Sequence, residues 1–179
     1  MKETTAYILD EVRRTIERVD ESVIDEIVDS LASAPKIFIY GVGRSGLVGE
    51  ALAARLVQIG LNVHFVGDTT TPIVEKSHVV VIISNTGETM SAVQTANIVR
   101  RLGAVVISIT GSAHSKLGIA SNIVMELVQP RDEQKKRNAP LGTIFEASSM
   151  VMMDSMVPLL MAKLDQDEAS LRRRHAICV

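Results

Sequence analysis

Two short stretches of the 179-residue sequence combine glycine with hydroxyl side chains in a pattern that suits phosphate binding. The first, GVGRSG, spans residues 41–46, and the second, SNTGET, spans residues 84–89. Each stretch follows an apolar run that is typical of a strand and precedes a segment with helical periodicity. Because a helix N-terminus offers unpaired N–H groups and a partial positive charge, either stretch could hold a phosphate group.

The second stretch contains more hydrogen-bonding groups than a helix N-terminus requires. One serine or threonine is ordinarily enough to cap a helix, whereas SNTGET has three hydroxyls, and its Asn and Gly allow a tight backbone. Short hydroxyl donors and backbone N–H groups suit a phosphate monoester, whose oxygens accept several hydrogen bonds. The predicted phosphate-binding and substrate-binding residues are Gly43, Arg44, Ser45, Ser84, Asn85, Thr86, Gly87 and Thr89. For Arg44 a salt bridge is an equal alternative.

The first stretch also fits a dinucleotide site. Gly41, Gly43 and Gly46 have the spacing G-x-G-x-x-G, and Asp68 stands near the place where an acid would meet the ribose hydroxyls. A nicotinamide enzyme is therefore an alternative, although it would not need the hydroxyl-rich second stretch. Neither stretch has the lysine of a P-loop, which argues against hydrolysis of a nucleoside triphosphate.

The elements that must position these stretches form an α/β pattern. Five short runs rich in Val and Ile alternate with longer segments, and the runs occupy residues 37–40, 63–66, 79–83, 105–109 and 123–128. Strands with so little polar alternation are covered on both faces, and the segments between the first four are long enough for crossover helices. We predict a three-layer α/β/α sandwich with a five-stranded parallel sheet of the flavodoxin-like type. Ligands then bind beyond the carboxyl ends of the strands, where both stretches lie.

The segments outside the strands carry further expectations. Residues 4–33 have the periodicity of an amphipathic helix or helix pair that ends before Pro35, and the tail predicts a last short helix. Residues 129–142 are charged and contain two prolines, so we expect a mobile loop that could act as a lid. Residues 143–164 predict a long apolar helix, kinked or broken at Pro158.

Composition narrows the class of protein. With 46% hydrophobic residues the chain can bury a full core in one domain, and a net charge of −2 gives no field that would attract nucleic acid or an anionic membrane. The single cysteine, Cys178, permits no intramolecular disulfide, which fits the cytoplasm. The N-terminus resembles no signal peptide, and no cluster has metal-ligand spacing. We read the three arginines at 172–174 as a solvated helix face.

Four phrases in the sequence resemble a known family. GVGRSG, FVGDTTTP, LGTIFE and the terminal RRRHAICV are similar to the sugar isomerase (SIS) domain, and within it to the 6-phospho-3-hexuloisomerases of the ribulose monophosphate pathway. The resemblance covers residues 35–179 and implies a single SIS domain there, with a helical segment at 1–34 packed on it. Another SIS phosphosugar isomerase, or a phosphosugar sensor without turnover, is the alternative.

The resemblance also implies a site and a reaction. It assigns the catalytic roles to Glu146, as the base, and to His175, which such isomerases often contribute across a subunit boundary. From the residues alone, Glu146 could equally be a first-turn acid favoured by the helix dipole, and His175 a solvated side chain. The implied protein is a homo-oligomer, commonly a tetramer, that acts on sugar phosphates without a cofactor or metal and is linked to a hexulose-phosphate synthase. Thr69, Thr70 and Thr71 could line the pocket.

Overall fold

The protein is described here by a computed structural model, which covers residues 1–177 and contains a five-stranded sheet between two layers of helices. The N-terminal half comprises α1 (Lys2–Ile16), α2 (Glu21–Ser33), β1 (Ile37–Gly41), α3 (Arg44–Ile59), β2 (Val63–Phe65), β3 (Val79–Ser84) and α4 (Met90–Leu102). The C-terminal half comprises β4 (Val105–Thr110), α5 (Lys116–Ile119), β5 (Ile123–Glu126), α6 (Glu133–Asn138), α7 (Thr143–Lys163) and α8 (Glu168–Arg173). Cys178 lies outside the described residues.

The sheet is parallel throughout and has the strand order β2-β1-β3-β4-β5. Every residue of β3 is buried, as its unbroken run of Val and Ile requires for a central strand. One face packs against α2, α3 and α7, and the other packs against α4 and α5. The predicted fold class is therefore confirmed, and the carboxyl ends of β1 and β3 are adjacent in the sheet.

The helices at the two ends of the chain join the same core. Residues 4–33 form the two helices α1 and α2, which both contact α7, and α8 contacts α3. Helix α7 is long and apolar enough to cross a membrane, but half of its most apolar window is buried inside the fold. Its composition is explained by packing, since Phe145, Met152, Met153 and Met156 all belong to the largest core cluster.

Two expectations about the connections are wrong in detail, and one of the two alternatives for Pro158 is excluded. The segment between β2 and β3 contains a turn, in which Thr71 donates its amide to Asp68, rather than a crossover helix. Residues 129–142 are not all loop, because α6 forms within them, with the carboxylate of Asp132 accepting the amide of Lys135 at 2.7 Å. Of the kink or break expected at Pro158, the break is absent, because α7 continues through this residue.

Candidate active site

The glycines of the first stretch bring the end of β1 against the start of α3. A Cβ atom on Gly46 would lie 2.8 Å from the carbonyl oxygen of Gly41, and one on Gly41 would lie 2.9 Å from the backbone of Gly46. Gly43, the N-cap of α3, has a φ of 60°, which other residues rarely adopt. This close turn buries Ser45 and leaves Arg44 exposed at the N-terminus of α3.

The second stretch faces the first across a small cleft. The cleft has a volume of about 110 Å³, and its polar lining comes from both stretches: Ser45, Ser84, Asn85, Thr86 and Thr89. Ser84 Oγ lies 3.2 Å from Thr89 Oγ1 and accepts the amide of Gly87 at 3.3 Å. The cleft is thus lined by side-chain hydroxyls and lies at the N-termini of two helices, which suits a phosphate group.

An ion pair fixes the second stretch to the start of α5. Glu88 accepts the backbone amide of Lys116 at 3.0 Å and pairs with its ammonium group at 2.8 Å. These hydrogen bonds lower the pKa of the Glu88 carboxyl and raise the pKa of Lys116. Gly87 has a φ of 64° and is packed so closely on Ser115 that no side chain would fit there. The backbone of this stretch is therefore held in place.

Glu146 lies close to this cleft although it comes from a distant part of the chain. It stands in the first turn of α7, and only 8% of its surface is exposed. Gly142, the N-cap of α7, approaches both its carboxylate and the side-chain amide of Asn85, since a Cβ there would lie 2.8 Å from Glu146 Oε1 and 3.3 Å from Asn85 Nδ2. Asn85 is thus the residue that links the hydroxyl-lined cleft to the carboxylate.

Arg44 contacts the carboxylate directly. Its Nε atom donates to Glu146 Oε2 at 2.5 Å, and the side chain of Arg44 remains 70% exposed. Of the two alternatives for Arg44, the structure has the salt bridge. The pair brings together one predicted binding residue and the predicted base.

A second cleft adjoins the first on the other side of Asn85. It has a volume of about 290 Å³, shares Asn85 and Thr86 with the smaller cleft, and is also lined by Gln129, Arg131 and Lys135. Gln129 donates to Asn85 Oδ1 at 2.6 Å, which directs the amide group of Asn85. The sequence interpretation missed Gln129 and Gly142. Gly142 had a signal, because it directly precedes the helix that carries Glu146.

His175 does not join this constellation within one chain. It is exposed beyond α8, and the preceding Arg174 contacts Ile59 and Gly60 at the C-terminal end of α3. The site lies at the opposite end of that helix, whose 16 residues span about 24 Å.

Two further features of the site region were considered in the sequence. The hydroxyl of Thr71 donates to the backbone carbonyl oxygens of Phe65 and Asp68. Within residues 1–177, no group of three or more acidic, His or Cys side chains is placed to hold a metal ion.

Comparison with known proteins identifies the relatives of this chain. A family model described as the SIS domain matches residues 30–154. The 3-hexulose-6-phosphate isomerase of Bacillus subtilis is 30% identical over 97% of this chain and 96% of its own length. That of Methanocaldococcus jannaschii is 34% identical over 85% of this chain and 82% of its own length. A crystal structure from Methanococcus jannaschii, from which the function of 3-hexulose-6-phosphate isomerase was inferred, has a TM-score of 0.84 at 30% identity and covers 96% of this chain and 98% of the other.

Proposed function

The chain belongs to the SIS domain family, and from this we propose that it is a 3-hexulose-6-phosphate isomerase. It interconverts D-arabino-3-hexulose 6-phosphate and D-fructose 6-phosphate. The names of the relatives support this substrate, and one observation in the structure supports the reaction: a buried carboxylate, Glu146, next to a cleft lined by hydroxyls. The hydroxyl-lined cleft would take the phosphate and leave the sugar chain beside Glu146.

The reaction needs a base and no redox partner. Substrate and product have the same number of hydrogens, and the carbonyl moves from C3 to C2. A base that removes the proton from C2 and returns one to C3, through an enediol, is therefore sufficient. The 3-hexulose cannot close a five- or six-membered ring, because its O6 is esterified and O5 is too near C3. It therefore binds as an open chain.

Glu146 is the proposed base, and Arg44 its partner. The guanidinium holds the carboxylate through the hydrogen bond from its Nε atom. When substrate enters, the same exposed side chain is free to move onto a sugar oxygen, where negative charge develops in the enediolate. The carboxylate is then released towards the C2 proton.

The second catalytic residue, His175, is proposed to come from another copy of the chain. Leu47, Ala51 and Ala54 form an exposed apolar stripe on α3, and Ala51 and Ala54 line a shallow cleft together with Met150 of α7. Two copies packed antiparallel through this stripe would bring the C-terminal end of one α3, with His175, to the N-terminal end of the other. There the imidazole could move protons between hydroxyl groups or open the fructose ring. A homo-oligomer, commonly a tetramer in this family, is part of the proposal.

The surroundings of the enzyme follow from its substrate. A hexulose-phosphate synthase, which forms the 3-hexulose phosphate from ribulose 5-phosphate and formaldehyde, is the proposed upstream enzyme. Because charged sugar phosphates do not cross a bilayer unaided, we place the reaction in the cytoplasm. Another SIS phosphosugar isomerase would use the same phosphate cleft but convert a different sugar phosphate. A sensor would bind a sugar phosphate in this cleft without converting it.

The decisive experiment follows fructose 6-phosphate formation without added cofactor or metal. The purified protein is mixed with ribulose 5-phosphate, formaldehyde and a hexulose-phosphate synthase. We expect product with the wild type and a rate at least about 100-fold lower in Glu146→Gln, as for loss of a general base. Binding of fructose 6-phosphate to that variant is the control for an intact cleft. A folded wild type that binds the sugar phosphate without converting it would contradict the proposal.

A further inference from the structure

The residue that precedes the N-cap of α7 has a backbone conformation that leucine rarely adopts. Leu141 has a φ of 55°, in the left-handed region, where the Cβ of an L-residue crowds the neighbouring backbone. The residue is 87% exposed, so burial does not compensate for the strain. A backbone of this kind persists where contacts around it hold it in place, and such positions cluster at functional sites.

One side chain holds the strained residue. Lys135 Nζ donates to the carbonyl oxygen of Leu141 at 2.5 Å. Lys135 is itself fixed, because its own amide donates to the carboxylate of Asp132. Ala139, directly after α6, is fully buried and packs in a cluster with Val12 of α1. The ammonium group therefore reaches Leu141 from a helix that is anchored to the rest of the molecule.

The peptide group held by Lys135 is the one that leads into Glu146. The carbonyl of Leu141 belongs to the peptide bond of Gly142, and the carbonyl of Gly142 accepts the amide of Glu146 at 2.9 Å. The Gly142 Cα also packs against the Glu146 carboxylate, as the 2.8 Å approach of a Cβ to Oε1 indicates. Rotation of this peptide would therefore shift the carboxylate, or the first turn of α7 that carries it.

We propose that Lys135 is a positioning residue for Glu146, acting through the strained backbone of Leu141. The inference rests on the proposed function only for the role of Glu146 as a base. Lys135 also lines the larger cleft, where its charge could instead attract the substrate phosphate. The two roles differ in kinetics: a positioning residue changes kcat, whereas a substrate-binding residue changes KM.

The test compares Lys135→Met with Lys136→Met. Lys136 is the matched control, since it lies in the same helix and pairs only with Glu133 on the surface in the described part of the chain. We expect Lys135→Met to lower kcat by on the order of 10-fold to 100-fold, as small misplacements of catalytic groups do, with KM changed less than about twofold. Lys136→Met should leave both unchanged, and Lys135→Arg, which can still donate to the carbonyl, should recover most of kcat.

A second measurement does not depend on activity. Hydrogen exchange at the amide of Glu146 should become faster in Lys135→Met and not in Lys136→Met. An unchanged kcat, a rise in KM alone, or equal exchange in the two variants would overturn the proposal. If Lys135→Met does not fold, both measurements are made on Lys135→Gln, whose shorter side chain carries no ammonium group to the Leu141 carbonyl. A kcat and an exchange rate equal to those of the wild type would then show that Lys135 has no positioning role. A wild type without isomerase activity would contradict the proposed function, while exchange would still test the contact.

Discussion

At the scale of single residues, the contact between Arg44 and Glu146 is the feature that sequence could not predict. The sequence placed Arg44 among the phosphate-binding residues and Glu146 in the first turn of an apolar helix. Their 2.5 Å contact joins residues from the first and last thirds of the chain, so only the fold brings them together. The roles of the two residues are therefore coupled, and a substitution of Arg44 should affect the chemistry more than the binding.

We expect Arg44→Gln to lower kcat about 10-fold to 100-fold and to leave KM nearly unchanged. The expected loss in kcat is no larger than the loss caused by removing a single hydrogen-bond donor from an oxyanion hole. The reason is that Arg44 is largely exposed, so solvent screens its charge. Steady-state kinetics measures both constants. Arg55→Gln is the matched control on the same helix, since Arg55 lies about three turns from Arg44, where it pairs with the exposed Asp154 and donates to Gln58. A rise in KM without a change in kcat would instead assign Arg44 to the phosphate.

At the scale of elements, the sequence predicted the strands, which have a clear apolar pattern, and missed a short helix whose position depends on particular contacts. The strands β1, β3 and β4 were predictable because each is an apolar run rich in Val and Ile and largely buried, whereas the edge strands β2 and β5 are shorter and partly exposed. Helix α6 was missed because its sequence, EQKKRN, has no apolar residue and lies between two prolines. Its start depends on the Asp132 cap and its position on α1, so hydrophobic periodicity could not have found it.

The contact of α1 with α6 predicts a pH dependence of stability. The pKa of Tyr7 is raised, mainly by burial of its hydroxyl and then by Asp132 and Glu11. A raised pKa in the folded state favours the neutral phenol. The contribution of Tyr7 to stability is therefore present at pH values below its ordinary pKa of 10.0. It is lost as the pH rises through the higher pKa of Tyr7 in the folded state.

Tyr7→Phe should remove this part of the alkaline destabilisation. At neutral pH we expect no loss of stability, because the buried hydroxyl has no hydrogen-bond partner within residues 1–177. The free energy of unfolding, measured with urea at neutral pH and above pH 10, checks both statements. Tyr40→Phe, at the second tyrosine of the chain, is the control. A Tyr7→Phe variant that is less stable at neutral pH would show that the hydroxyl is satisfied in solution.

At the scale of the whole molecule, the two residues proposed for catalysis are separated within one chain by the length of α3. Glu146 and the hydroxyl-lined cleft lie at one end of this helix, and His175 follows the segment packed at the other end. The motif resemblance assigned both residues to one family pattern, but sequence could not measure the distance between them. If both residues act in catalysis, the site must be completed by a second copy.

Mixing two inactive variants tests this arrangement. Glu146→Gln and His175→Gln are each expected to be nearly inactive, and reassociation of equal amounts should restore activity. In randomly mixed antiparallel pairs, about a quarter of the sites would combine an intact Glu146 with an intact His175, so we expect about a quarter of wild-type activity. Each variant treated alone in the same way is the control. No recovery from chains that demonstrably exchange would place both residues in one subunit, or remove His175 from the mechanism.

The late position of α7 in the chain has a consequence for synthesis on the ribosome. The sheet is complete once β5 has emerged, yet the apolar side chains of one face are covered in large part by Phe145, Met152, Met153 and Met156, which come afterwards. A nascent or prematurely ended chain that stops before α7 therefore leaves part of one apolar sheet face uncovered, the kind of surface that aggregates or recruits chaperones. The same helix brings in Glu146, so the closing of the core and the arrival of the carboxylate are a single late event.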